Sequence, residues 1–169
     1  MALTPAQLAT LNTAIANNPT WASYPNTGDG NFNLAQLLNQ PASPTVLAWR
    51  KIMVADVIAA VQPAEVDNMY STSKGYAFDF LLRWANGIDC TQSLGPRAIT
   101  DLCTQSAAPN TRAALLSTAT EPMTAGQQVF GGAVVASATP PAAISATVRN
   151  FSGQLTGTDI AAAYAGHYG

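Results

Sequence analysis

The chain has 169 residues, 48% of them hydrophobic, enough for one domain or one domain with an appendage and too apolar for a disordered segment. Only 9% are charged and the formal net charge is −2, against roughly 25% charged residues in an ordinary soluble protein. The seven cations, Arg50, Lys51, Lys74, Arg83, Arg97, Arg112 and Arg149, are scattered, which argues against specific nucleic-acid binding, because that affinity comes from clustered cations releasing counterions.

The first helix is strongly signalled. Thr4-Pro5-Ala6-Gln7 reads as a capping box with proline at the first helical position, and Leu3 faces Leu8 as a hydrophobic staple. Leu8, Leu11 and Ile15 form the buried stripe, and Asn17-Asn18-Pro19 ends it. Trp21 and Tyr24 follow in an extended, proline-punctuated link. A second short helix is expected from about residue 33 to 39, with Leu34, Leu37 and Leu38 inward. Ser43-Pro44 reads as another cap, opening an apolar helical segment that runs to Val61 and that Asp56 divides by capping a second helix.

Further helical segments are expected over Pro63–Met69, Ser73–Ala85 (carrying Phe78, Leu81, Leu82 and Trp84, and stopped by Gly87), Pro96–Gln105, Thr111–Ser117 capped by Asn110, and Thr124–Phe130 with a Thr124/Gln127 box. After Phe130 the composition turns to Gly, Ala, Ser, Thr and Pro. Ala146–Phe151 suits a strand, Ser152-Gly153 a turn and Gln154–Thr156 a return strand. Thr158-Asp159 then caps a last helix that stops at Gly166. The expected fold is mainly α: a helical domain over 1–130, and over 131–169 an arm with a short β-hairpin and a terminal helix, the two forming one structural unit.

The run Pro25-Asn26-Thr27-Gly28-Asp29-Gly30-Asn31 invites a ligand-loop reading and fails it. Counted as a calcium loop from Asp29, the glycine position falls on Leu34 and the bidentate glutamate position on Gln40. As a phosphate loop it lacks a third glycine and a Lys-Ser/Thr pair. A turn remains: Gly28 and Gly30 take angles other residues avoid, and Asp29 or Asn31 caps the next helix. His167 is the sole histidine and reads as a solvated tail residue, too weakly held for a catalytic triad. Cys90 and Cys103 lack a C-x-x-C spacing and read as reduced core residues or as one disulfide closing a short loop. Glu65, two residues after Pro63, and Glu121, beside Pro122, read as helix-dipole partners. No enzyme, metal site or cofactor is expected.

No apolar stretch of 18 residues could span a bilayer, and the first residues lack a signal-peptide pattern. The expectation is synthesis in a cytoplasm followed by assembly there. Trp21, Trp49 and Trp84 read as core or core-edge anchors, each removing apolar surface worth about 2–3 kcal/mol from water. Trp21 and Tyr24, in their linker, also read as anchors for a partner subunit.

The stretches MALTPAQLATLNTAIANNP, YPNTGDGNFNLAQLLNQPASPTVLAWR and FSGQLTGTDIAAAYAG resemble a family of small virion-associated proteins of tailed bacteriophages. The shared marks are Leu3-Thr4 at a helix start, the Pro25–Gly30 turn, Asn39 to Pro44 before Trp49-Arg50, and Phe151 to Ile160 leading into a terminal helix. The likeness is best over the first 55 and last 20 residues. Ser152 stands where the family has an acid, and Lys51-Ile52 where a threonine is usual.

The resemblance implies a non-enzymatic structural component of a virion. A head–tail connector, adaptor or tail subunit is the leading expectation. The alternatives are a capsid decoration protein and, from another class, a soluble assembly chaperone or binding module. The expected partners are portal, tail or capsid subunits and copies of the chain itself, with no nucleic acid and no membrane. Trp21, Tyr24, Trp49, Arg50 and, for the hairpin, Phe151 are the expected interface residues.

Overall fold

A computed structural model describes residues 2–70, 75–77, 79, 86–92, 94–104, 106–138 and 143–166. The chain divides into two units, each with its own core. One comprises Met1–Val46, Pro122–Gly132 and Arg149–Gly169, the other Leu47–Glu121 and Ala133–Val148.

In the first unit α1 (Pro5–Asn17) begins as its sequence dictates. The Thr4 N–H donates to Gln7 Oε1 at 2.9 Å and the Gln7 N–H donates back to Thr4 Oγ1 at 3.3 Å. The link after it is not extended. Asn18 accepts from the N–H groups of Thr20 and Trp21 and caps a one-turn helix, α2 (Pro19–Ala22), because Asn-Pro is itself a helix start. The next helix, α3 (Gly28–Leu38), starts well before residue 33. Thr27, rather than Asp29 or Asn31, is its cap, accepting from the Gly30 N–H at 3.2 Å.

Gly28 and Gly30 therefore lie inside a helical turn, and neither has a positive φ. Gly30 is needed for another reason: a Cβ there would sit 2.0 Å from the carbonyl oxygen of Pro25. The Thr124/Gln127 box opens α8 (Ala125–Val129) as expected. The last helix, α9 (Gly157–Ala165), is capped by Thr156 with Asp159 closing the box, two residues before the expected cap, and stops at Gly166 with φ 66°. It packs on α3 and α1, and Leu11, Ile15, Leu34, Leu38, Leu155 and Ile160 form the core between them.

The second unit overturns the expected fold class. The apolar run after Ser43-Pro44 folds as β1 (Leu47–Trp49), β2 (Lys51–Ile52) and only then α4 (Val54–Ala60). Asp56 does hold the start of that helix, accepting from the Met53 N–H at 2.9 Å. An apolar run rich in Val, Ile and Leu is compatible with strand or helix, and here a partner strand decides. That partner is β6 (Ser145–Arg149), which pairs parallel with β1 through Ala48 and Thr147.

With β4 (Thr120–Pro122) and β5 (Gly132–Ala136) these strands form a four-stranded sheet in the order β4-β1-β6-β5. β2 pairs antiparallel with β3 (Ile88–Asp89) in a separate ribbon. The described residues are 53% helix and 15% strand, and the larger sheet is mixed, so the fold is mixed α/β and not a mainly helical bundle with a small hairpin. The hairpin itself is displaced. β6 turns back on β5, which precedes it in a stretch expected to be an arm, and residues 154–156 form no strand.

Around the sheet lie α5 (Val66–Tyr70), α6 (Gly95–Leu102) and α7 (Pro109–Thr118), with α7 packing on α4 and α6. Trp49, Ile52, Val57, Ile99 and Leu115 are fully enclosed in this unit's core. The helix expected over 73–85 falls mostly outside the described residues, as does Trp84; residues 75–77 and 79 are helical.

Candidate interaction surface

A candidate surface for a partner lies on the first unit around the start of α3. Asn18 fixes α2, which carries Trp21, and Tyr24 follows with its N–H donating to the Trp21 carbonyl at 3.2 Å. Both rings are half-buried and pack against the core of this unit. Tyr24, Thr20, Ser23, Thr27, Asp29 and Asn33 line a shallow groove of about 470 Å³.

A second shallow groove, of about 450 Å³, lies where Gly28, Asn31 and Phe32 of α3 face Gly157, Thr158 and Ala161 of α9. Gly157 allows the helices to approach, since a Cβ there would stand 3.3 Å from the Phe32 backbone nitrogen. Asn31 is 6% exposed, and its Nδ2 donates to Asn26 Oδ1 at 3.1 Å. Phe32 is 56% exposed. Half-exposed rings among hydroxyls and amides suit polypeptide docking, in which a few aromatics carry most of the binding energy.

The five residues expected at an interface are divided between the two units. Trp21, Tyr24 and Phe151 belong to the first unit, Trp49 and Arg50 to the second. Phe151 is 8% exposed, its ring tilted against Phe130 with centroids 4.8 Å apart. Trp49 has no exposed surface, and its Nε1 donates to the Val135 carbonyl at 2.9 Å. Both rings are buried in the cores of their units. Arg50 is half-buried: its Nε donates to the Thr118 carbonyl at 2.7 Å and its guanidinium lies 3.6 Å from Asp56. Phe32 was not among the expected residues. The signal for it was phase: once α3 starts at Gly28, the buried positions Asn31, Leu34, Ala35 and Leu38 leave Phe32 outward.

Glu65, a buried polar residue of the second unit, helps to hold its fold. α7 has no capping side chain of its own, since its N-cap is Ala108, and Glu65 serves in its place. Its carboxylate accepts from the Asn110 N–H at 2.9 Å, Asn110 Nδ2 at 2.8 Å and the Thr111 N–H at 2.8 Å. Burial opposes the charge on Glu65, but the bonds from Thr111 and Asn110 outweigh it and hold the carboxyl below its ordinary value. Glu65 thus supports a helix start, as its sequence context suggests, but of a helix 45 residues further on.

Cys90 and Cys103 are free and buried. Burial, reinforced by Asp89 and opposed by Arg50, pushes the Cys90 thiol up to about 12. Burial, reinforced by Glu65 and opposed by Arg112, pushes Cys103 to about 11. Such thiols are poor nucleophiles at neutral pH. His167 lies outside the described residues. Among the described residues no three His, Cys, Asp or Glu side chains gather as a metal site, and no helix is long and apolar enough to cross a membrane.

No protein-family model matches this chain. No curated protein and no solved structure matches it either.

Proposed function

We propose that the chain is a non-enzymatic structural component of a tailed-phage virion, a head–tail connector, adaptor or tail subunit that acts by protein–protein assembly. One observation carries the reading. The marks on which the family resemblance rests lie far apart in sequence, yet most of them meet in one folded unit. Thr4 caps α1, Pro25 to Gly30 lead into α3, Asn39 bonds to Leu155, and Phe151 and Ile160 join the same core. That unit also carries the exposed Phe32 and the half-buried Trp21 and Tyr24.

Specific, stable protein–protein contacts bury about 1,200–2,000 Å² and rely on a few aromatic anchors. A chain with 9% charged residues meets little electrostatic resistance to close packing. The proposed location is the virion, after assembly in the bacterial cytoplasm.

The test is incorporation. Phe32→Ala and the double variant Trp21→Ala with Tyr24→Ala are supplied to a phage lacking its own copy, and purified particles are probed for the protein. The expected result is a Phe32→Ala subunit that unfolds like wild type but enters particles poorly, and a double variant that stays folded and is excluded. Normal incorporation of all three substitutions would remove this surface from the assembly. Loss of cooperative unfolding in the double variant would assign Trp21 and Tyr24 to the core alone.

A further inference from the structure

We infer that the outer edge of β5 is a self-pairing edge, which joins two copies of the chain into one continuous antiparallel sheet. The inference concerns how the chain associates with itself and stands independently of any virion assignment.

The two edges of the four-stranded sheet differ. At one end β4 contains Glu121 and finishes at Pro122. A charge and a residue without an N–H are the ordinary ways of keeping an edge from pairing. At the other end β5 reads Gly-Ala-Val-Val-Ala, with Gly131 before it and Ser137-Ala138 after it. No charge and no proline guards it. Val134 is 73% exposed, and Gly132 and Ala133 are exposed beside it. Among the described residues no strand lies beyond β5.

The hydrogen bonds closing the β5–β6 hairpin show which backbone groups face outward. The Ser137 N–H donates to the Ile144 carbonyl at 2.9 Å, and the Asn150 N–H donates to the Gly131 carbonyl at 3.2 Å. Both bonds use odd-numbered residues that flank β5, Gly131 and Ser137, and fall in the same register. In an antiparallel pair alternate residues bond to the partner. The N–H and C=O groups of Gly132, Val134 and Ala136 therefore point away from β6, along the open edge.

That pattern is complementary to itself. A two-fold axis through Val134 sets it opposite Val134 of a second copy and sets Gly132 opposite Ala136 in each direction, so every outward donor meets an acceptor. The same edge is poorly equipped to select a foreign strand. Recognition by strand addition takes its specificity from side-chain pockets or charges, and this segment offers only Gly, Ala and Val. A second copy brings no opposing charge to the strand, and the net charge of −2 leaves little repulsion between whole chains.

The experiment uses the full chain. Sedimentation velocity across a concentration series is expected to show a monomer–dimer equilibrium, and amide hydrogen exchange to show Gly132, Val134 and Ala136 protected in the dimer and open in the monomer. Val134→Lys, which opposes two ammonium groups across the axis, is expected to weaken dimerisation by about 100-fold or more while leaving the unfolding curve unchanged. A wild-type chain that stays monomeric throughout overturns the inference. So does a dimer in which those three amides exchange freely, because it would be built on another surface. The exchange measurement on wild type stands whether or not the lysine variant folds.

Discussion

The side-chain amide of Asn39 holds the backbone of Leu155 from both sides. Its Nδ2 donates to the Leu155 carbonyl at 2.8 Å, and its Oδ1 accepts from the Leu155 N–H at 2.9 Å. The amide stands in for a paired strand residue and fixes the chain just before α9, 116 positions away in sequence. Leu155 is 3% exposed, so water cannot freely replace what the amide supplies. Asn39→Ala is expected to destabilise the protein by about 2 kcal/mol through the two groups left without partners. Thermal unfolding is the check: a loss of that size lowers the midpoint by about 4–8 °C in a chain of this length. An unchanged midpoint would show that the bond pair adds nothing to stability.

The two glycines at the start of α3 make an internal comparison. A Cβ on Gly30 collides with backbone atoms of Pro25, whereas nothing lies within 4 Å of one on Gly28. Gly30→Ala is expected to cost about 2–3 kcal/mol, because backbone has to move. Gly28→Ala is expected to be neutral or to stabilise by about 0.5 kcal/mol, by restricting the unfolded chain. Denaturant unfolding of the pair measures both. Equal effects would show that the close approach of Pro25 does not set the cost at Gly30.

Glu65 links stability to pH. Its folded-state pKa lies below its ordinary value, so the ionised form is favoured by folding. The contribution is fully present above the ordinary glutamate value and is lost as pH falls through the lowered one. Glu65→Gln removes the charge and turns an amide N–H₂ toward the donors of Asn110 and Thr111. Wild type is therefore expected to be more stable than Glu65→Gln at neutral pH, with the gap narrowing on acidification. Urea unfolding at successive pH values tests this, and a gap that does not change with pH would contradict the ionised cap.

What was legible in the sequence was local. The Thr4/Gln7 and Thr124/Gln127 boxes and the stop at Gly166 depend on residues three or four apart, and the chain folds accordingly. What was not legible depended on distant partners. Nothing near Ala48 announces a parallel pairing with Thr147, so an apolar run that could have been helix became β1 and β2. Nothing near Pro109 announces a cap supplied by Glu65. The candidate surface was half visible. Trp21 and Tyr24 stood out as aromatics in a link, but Trp49 is consumed by its core, and Phe32 emerges only once the true start of α3 is known.

The claim most exposed to test is that this chain is a virion component. Quantitative mass spectrometry of purified virions addresses it directly. The chain is expected in the particle at a fixed, low copy number matching a ring at the head–tail junction or in the tail. Its absence from particles assembled in cells that express it would contradict the proposed function.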